Sequence, residues 1–210
     1  MGSAEETIWN VRVHTSSLEE IVESVGNDIR SGVTGKTLFC ANPHSLVTAA
    51  KDVQFLSALR SADYLIPDGI GIVYASKLHG GMIQKRITGS DVLRAISEKL
   101  QKTGGYSYFL LGSTDKVLRS MILHMQVHYP QVSVAGHFAP PFKTSFSEEE
   151  NEIMIKTINA ASPSILWVGM TAPKQEKWIM QHLHRLHVPF ICAVGAAFDY
   201  FAGTKRRAPG

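Results

Sequence analysis

Short apolar runs alternate along the chain with amphipathic segments of helical length, and few folds accommodate this pattern. Six runs are rich in β-branched and aromatic residues and are apolar enough to be buried on both faces. Such strands, separated by helices, form a largely parallel sheet with helices on both faces. The sequence therefore predicts an α/β, Rossmann-like fold. The predicted strands are Thr37–Ala41, Tyr64–Pro67, Tyr106–Leu111, Val132–Ala135, Ile165–Gly169 and Phe190–Val194.

Seven amphipathic segments between these strands predict helices. One of them begins after Ser147 with three glutamates, which predicts a hydroxyl cap and carboxylates at the positive end of the helix dipole. The chain has no internal repeat and no linker that would divide it, so residues 1–210 are predicted to form a single domain. The predicted helices are Leu18–Arg30, Ser45–Arg60, Ile70–Leu78, Asp91–Lys102, Lys116–His128, Glu148–Ala160 and Lys174–His187.

Composition and charge exclude several other classes of protein. Hydrophobic residues make up 44% of the 210, which excludes intrinsic disorder. The net charge of +3 is too small to indicate a nucleic-acid-binding protein, and the dense basic cluster Lys205–Arg207 is terminal. Cys40 and Cys192 lie inside apolar runs, which predicts reduced thiols in the cytosol. No apolar stretch approaches the roughly 18 residues of a membrane span, and the N-terminus does not resemble a secretion signal.

Polar and glycine residues follow the predicted strands at the point where each strand ends. Ligands of open parallel sheets bind beyond the carboxyl ends of the strands, so these residues are the candidates for a binding site. We expect all six turns to meet at one edge of the sheet. They contain Asn42 and His44, then Asp68 and Gly69, then Gly112 and Ser113, then Gly136, then Lys174 and Gln175, and finally Asp199.

The turn at Gly112 and Ser113 leads from a strand directly into a helix. Its backbone N–H groups and the helix dipole suit the diphosphate of a nucleotide. An ordinary helix-capping turn accounts for these residues equally well. The turn matches neither a P-loop nor a complete dinucleotide-binding fingerprint, which argues against an NTPase and against an NAD(P)-linked oxidoreductase.

Asp68 is the candidate general base, because a carboxylate at the mouth of the sheet can take a proton from an attacking hydroxyl. Its alternative role is that of a helix cap, and Asp63 is a weaker candidate. Arg86 offers a planar guanidinium suited to a phosphate or diphosphate, with a solvated surface arginine as the alternative. Thr88 and Ser90 are interpreted first as caps of the following helix and second as substrate contacts.

Gln175 opens another helix and is suited to sugar hydroxyls, since an amide both donates and accepts. Its neighbours Lys174, Glu176 and Lys177 also fit a solvated first turn. Asp199 lies among aromatic residues and is interpreted either as an acceptor for a base or ribose donor or as another helix cap.

Metal binding is not predicted. The nine histidines lack the spacing of a metal site, and the chain contains neither an Asp-x-Asp pair nor a G-x-S-x-G elbow. These absences argue against a metal-dependent sugar transferase and a serine hydrolase.

At these turns the sequence closely resembles the WecG/TagA/CpsF family of bacterial glycosyltransferases. The matching segments follow the family order over nearly the whole chain. They are 41–45, 62–73, 85–91, 109–113, 136–142, 168–178 and 198–203, continuing through Arg207–Pro209.

The resemblance implies an inverting, metal-independent enzyme that transfers an N-acetylmannosamine or related sugar from a UDP-sugar, which is a substrate, so that no cofactor is needed. The implied acceptor is linked to a polyprenyl diphosphate at the inner face of the cell membrane, and self-association is an open expectation. Asp68 matches the family's proposed base, Arg86 and Gln175 match its active-site arginine and glutamine, Asn42 matches the first-loop polar residue, and Asp199 lies near the nucleotide position.

Family members continue after Arg-Ala-Pro with a basic amphipathic segment that is thought to touch the membrane, whereas this sequence stops at Gly210. The expectation from this difference is a chain that binds UDP and transfers sugar poorly by itself. The alternative function is a non-catalytic nucleotide-binding or regulatory module that uses the same turns.

Overall fold

The computed structural model describes residues 4–203, and the basic cluster Lys205–Arg207 and the segment Arg207–Pro209 lie outside these residues. The strands are β1 (Glu5–Ile8), β2 (Val11–His14), β3 (Lys36–Ala41), β4 (Tyr64–Pro67), β5 (Tyr106–Gly112), β6 (Val132–Phe138), β7 (Ile165–Gly169) and β8 (Phe190–Ala193). The helices are α1 (Leu18–Arg30), α2 (Pro43–Ala49), α3 (Val53–Ser61), α4 (Ile70–Leu78), α5 (Gly89–Thr103), α6 (Asp115–His128), α7 (Glu148–Ala161), α8 (Lys174–His182) and α9 (Ala197–Phe201).

Strands β3 to β8 form one sheet with the order β4-β3-β8-β7-β5-β6, and every neighbouring pair is parallel. Side chains that alternate along the strands enter two separate cores, because successive residues of a strand face opposite sides. Trp167 belongs to one core and its neighbour Val168 to the other, and both are fully buried. The predicted α/β fold with helices on both faces is therefore confirmed.

The two faces of the sheet are covered by different helices. Helices α2, α3, α4, α7 and α8 supply side chains to one core, and α1, α5, α6 and α9 supply them to the other. Strands β3 and β8 are adjacent, but the helix that follows β3 (α2) packs on one face of the sheet and the helix that follows β8 (α9) packs on the other. This divergence opens a crevice at their carboxyl ends, which is where ligands bind in open α/β sheets.

The structure adds a hairpin that the sequence analysis did not predict. Strands β1 and β2 pair antiparallel, and Trp9 and Asn10 form the turn with positive φ angles of 45° and 71°. The turn lacks the glycine that usually signals a tight hairpin. Val11 and Val13 are buried in the same core as α2 and α4, so the hairpin widens this face of the molecule.

Several predicted boundaries were wrong. The predicted helix 45–60 is divided into α2 and α3, because the Asp52 side chain accepts a hydrogen bond from the Phe55 N–H and starts a new helix. Helix α8 ends at His182, before the predicted His187, and a short 3₁₀ turn follows. The predicted cap of α7 is confirmed, since the Ser147 hydroxyl accepts from the Glu150 N–H at 3.2 Å.

Between residues 4 and 203, no helix has the length and apolar character needed to cross a bilayer.

Candidate active site

A polar cavity of about 470 Å³ lies beyond the carboxyl ends of β3, β4, β7 and β8. It is bounded by α2 and α8 on one side of the sheet and by α5 and α9 on the other. Among the residues predicted as site residues or possible substrate contacts, seven line this cavity, whereas the turns after β5 and within β6 do not reach it. The seven are Asn42, His44, Asp68, Arg86, Thr88, Ser90 and Gln175.

Asp68 follows the last residue of β4, and its backbone N–H donates to the Ala41 carbonyl of β3 at 2.7 Å. The alternative of an N-cap aspartate is wrong, because the N-cap of α4 is Gly69. Gly69 has a φ of 133°, which favours glycine, and an added Cβ would approach Pro43 Cδ to 3.3 Å. Gly69 thus shapes the turn that brings Asp68 to the cavity, and it does not itself line the cavity.

The weaker candidate, Asp63, has a structural role at the opposite end of β4. Its carboxylate accepts from Lys36 Nζ at 2.7 Å and from the Thr37 N–H at 3.0 Å. It therefore joins the starts of two neighbouring strands and lies outside the cavity.

Arg86 lies in the loop before α5, which is anchored by a hydrogen bond from the Ile87 N–H to the Pro67 carbonyl at 2.8 Å. Because Pro67 immediately precedes Asp68, this bond joins the backbone of the Arg86 loop to the end of β4, and both Asp68 and Arg86 line the cavity. Arg86 is exposed, and within residues 4–203 its side chain makes no hydrogen bond or ion pair. Its five donors therefore suit an anionic ligand.

Thr88 and Asn42 both cap helices at the cavity wall. Thr88 accepts from the Asp91 N–H at 3.3 Å, which confirms its predicted capping role. The Asn42 Oδ1 accepts from the Ser45 N–H at 2.8 Å, which leaves its amide nitrogen for a ligand. His44 is exposed in the first turn of α2.

Gln175 and Glu176 are both buried in the first turn of α8, with 3% and 1% of their surface exposed. Gln175 Nε2 donates to Glu176 Oε1 at 2.8 Å, and Gln175 Oε1 accepts from the Gly195 N–H at 3.1 Å. The interpretation of Glu176 as part of a solvated turn was wrong. It lines the cavity, and burial raises the pKa of its carboxyl to about 7.

The neighbouring lysines face away from the cavity. Lys177 pairs with Asp52 at 2.9 Å. The Lys174 ammonium donates to the Lys143 carbonyl at 2.8 Å and lies over the ring of Phe146. The loop before α7 thus engages Lys174, which was a predicted nucleotide contact.

Gly112 and Ser113 also lie outside the cavity, because β5 is separated from it by β7. An added Cβ at Gly112 would lie 2.6 Å from the Gly169 carbonyl oxygen, and its φ is 117°. The Ser113 N–H already donates to the same oxygen at 3.0 Å. The glycine is therefore required by the close approach of two strands, and this N–H does not remain available for a diphosphate.

Gly136 and Asp199, which were predicted to contact the nucleotide, do not line the cavity either. Gly136 lies within β6, past an irregularity in its pairing with β5, and an added Cβ would meet the Phe109 ring at 2.7 Å. Asp199 lies in the middle of α9, whose N-cap is Ala196, so the capping interpretation was wrong. Its neighbour Tyr200 lines the cavity instead.

Cys40 and Cys192 are free thiols on the neighbouring strands β3 and β8. Cys40 lines the cavity, and burial raises the pKa of its thiol, with smaller contributions from Asp68 and Glu176. Within residues 4–203, no three His, Cys, Asp or Glu side chains are grouped as metal ligands.

The fold and the cavity together define a Rossmann-like α/β protein with a cavity at the carboxyl edge of its sheet that is lined by an aspartate and an arginine. The sequence profile of the glycosyl transferase WecG/TagA/CpsF family matches residues 6–210, and the chain belongs to this family. Two relatives carry the name N-acetylglucosaminyldiphosphoundecaprenol N-acetyl-beta-D-mannosaminyltransferase. The chain is 28% identical over 207 residues to the relative from Bacillus subtilis (strain 168), an alignment that covers 97% of this chain and 77% of the relative. It is 29% identical over 208 residues to the relative from Staphylococcus aureus (strain NCTC 8325 / PS 47), covering 99% and 79%.

Proposed function

We propose that this protein transfers an N-acetylmannosamine or closely related sugar from a UDP-sugar to an acceptor linked to a polyprenyl diphosphate. The observation that carries the proposal is that Asp68 and Arg86 line one cavity in a chain of this family. The relatives' names support the sugar and the acceptor. The single-domain interpretation of residues 1–210 and the location at the inner face of the membrane belong to the same proposal.

In the proposed reaction, Asp68 takes the proton of the acceptor hydroxyl as the oxygen attacks the anomeric carbon of the donor sugar. The bond between this carbon and the UDP oxygen breaks at the same time, so UDP leaves with the bonding electrons. One displacement inverts the configuration at the anomeric carbon. Arg86 pairs with the diphosphate as negative charge develops on the leaving oxygen, a role that a protein cation fills without a metal ion.

The acceptor's lipid chain has a matching surface beside the cavity. An apolar groove of about 550 Å³ is lined chiefly by Trp9, Pro43, Val47, Ile72 and Ala75. Asn42 lines the cavity and the next residue, Pro43, lines the groove, so the two meet at the first turn of α2. We propose that the polyprenyl chain leaves the cavity along this groove.

Helix α4 extends the apolar surface outward from the groove. Ile70, Tyr74 and Leu78 recur every four residues, which places them on one face of the helix, and each is more than half exposed. A row of this kind suits the surface of a bilayer that holds the acceptor. It supports the proposed peripheral association with the membrane.

The direct test combines the chain with UDP-N-acetylmannosamine and N-acetylglucosaminyl-diphosphoundecaprenol in detergent. We expect UDP release together with a lipid-linked disaccharide of inverted anomeric configuration, measured by mass spectrometry and NMR, and we expect no loss of rate in EDTA. A chain that binds UDP but forms no product with any UDP-hexosamine would favour the nucleotide-binding module.

The groove predicts a selective effect of Val47→Glu. Val47 is 44% exposed, so the substitution is tolerated by the fold, but it places a charge where the lipid chain is expected. We expect KM for the undecaprenyl acceptor to rise about tenfold, equivalent to about 1.4 kcal/mol, with KM for the donor unchanged.

Val127→Glu on α6 is the matched control, because Val127 is exposed and belongs to the other side of the sheet. An unchanged acceptor KM for Val47→Glu would contradict the groove assignment. A shift from dimer to monomer in size-exclusion chromatography, with acceptor KM unaltered, would assign the groove to a second copy of the chain.

A further inference from the structure

Glu176 is a buried carboxyl group of the cavity to which nothing above assigns a function. Its Oε1 accepts the hydrogen bond from Gln175, whereas its Oε2 is buried and has no hydrogen-bond partner among the described residues. Leaving such an atom unpaired is costly, so the position of this side chain needs an explanation. No salt bridge between residues 4 and 203 involves Glu176, so ion pairing does not explain why this carboxyl group is buried.

The role of Glu176 follows from the hydrogen-bonded chain that runs from the Gly195 N–H through the Gln175 amide to Glu176 Oε1. An amide has one oxygen and one NH₂ group, and rotation by 180° exchanges them. The Gly195 N–H fixes the oxygen of Gln175 on the β8 side, and Glu176 Oε1 fixes the NH₂ group on the other. Both ends are therefore defined by partners that cannot be exchanged without losing hydrogen bonds.

This arrangement limits what Gln175 offers a ligand. Its oxygen is already engaged, and one of its two Nε2 hydrogens is donated to Glu176. The second Nε2 hydrogen remains, so Gln175 acts toward the cavity as a donor. A donor of this kind recognises an oxygen atom, such as a hydroxyl or the carbonyl of an N-acetyl group.

We propose that Glu176 is a positioning residue, which fixes the amide of Gln175 so that its remaining Nε2 hydrogen binds an oxygen atom of the donor sugar. This inference rests on the proposed function, because it takes the sugar to occupy the cavity that Gln175 lines. Oε1 accepts the bond from Gln175 whether the carboxyl is neutral or ionised, and burial raises its pKa to about 7, which lessens the negative charge beside the donor diphosphate.

Three substitutions of Glu176 separate position from charge. Glu176→Gln keeps an Oε1 acceptor at the same distance and should retain the activity to within about threefold. Glu176→Met has similar volume but no acceptor, and we expect kcat/KM for the donor to fall about tenfold, as for a lost hydrogen bond of about 1.4 kcal/mol. Glu176→Asp keeps the carboxyl but withdraws it by one methylene, so it should resemble Glu176→Met.

A double-mutant cycle tests whether Glu176 acts through Gln175. Glu176→Met should cost about tenfold in the wild-type background and less than twofold when Gln175→Ala is already present. Equal costs in the two backgrounds would overturn the proposal, as would a Glu176→Gln variant that is impaired as severely as Glu176→Met. Thermal denaturation identifies any variant that has lost its fold, and Glu176→Asp then replaces Glu176→Met in the cycle.

Binding measurements separate this inference from the proposed function. Calorimetry should show that Glu176→Met weakens the binding of UDP-N-acetylmannosamine several-fold and leaves UDP binding unchanged, since UDP lacks the sugar. If the wild-type chain binds both compounds but transfers no sugar, the proposed function fails and the positioning role is still measured. If both compounds lose affinity equally, the positioning role fails.

Discussion

Replacing Asp68 by asparagine should lower kcat for sugar transfer by a factor of about 10² to 10⁴, the range for loss of a general base. An amide is isosteric with the carboxylate but does not take the proton of the acceptor hydroxyl. UDP-sugar binding should change by less than about twofold, because the base acts on the acceptor. Single-turnover product formation and calorimetric binding of the donor check the two expectations.

The control for this substitution is Asp115→Asn. Asp115 is an exposed residue at the start of α6 that pairs with Arg119, and it does not line the cavity. Transfer by the control should match that of the wild type. If Asp68→Asn retains both transfer and UDP binding, Asp68 is not the base.

The second large effect is expected at Arg86. Arg86→Ala removes the guanidinium that we assign to the diphosphate, and we expect kcat/KM for the donor to fall about 10²- to 10³-fold, as when a preorganised donor to developing charge is removed. Arg86→Lys should recover only part of this loss, because an ammonium does not reproduce the planar fork of guanidinium donors. Steady-state kinetics with varied UDP-sugar measure both.

Lys85 provides a matched control in the same loop. It is exposed, carries the same charge and does not line the cavity. Lys85→Ala should therefore leave the donor kinetics within about twofold. Equal losses for the two alanine variants would mean that the general positive charge of the loop, and not the placement of Arg86, attracts the donor.

The parallel sheet was predictable because most of its strands are buried on both faces and therefore have continuous apolar sequences. For β6 the expected burial on both faces was wrong, because this strand lies at the edge of the sheet and is largely half-buried or exposed. Helix α4 was predicted with its observed bounds, Ile70–Leu78, since an apolar segment of helical length follows the Asp-Gly turn. The β1–β2 hairpin was missed because its strands are four residues long and its turn residues, Trp9 and Asn10, are not typical of a tight turn.

At the candidate site, the local sequence identified which residues could act on a ligand, but it did not reveal which of them are buried. That Asp68, Arg86 and Gln175 lie at one cavity was predictable, because the carboxyl ends of parallel strands lie at the same edge of the sheet. Strand order was not predictable, and it is strand order that separates Gly112 from the cavity by the width of β7. Glu176 looked solvated because acidic residues in a first helical turn usually are, and it is the tertiary packing of α8 that buries it.

Two turns of the described chain contribute to both the polar cavity and the apolar groove. The first turn of α2 does so through Asn42 and His44 in the cavity and Pro43 in the groove, and the turn from β4 into α4 does so through Asp68 in the cavity and Gly71 in the groove. No described residue belongs to both linings. Mutation in the laboratory, or divergence of the family, can therefore change the preference for the nucleotide sugar independently of the preference for the length of the lipid. Substitutions at these two turns should alter both preferences together.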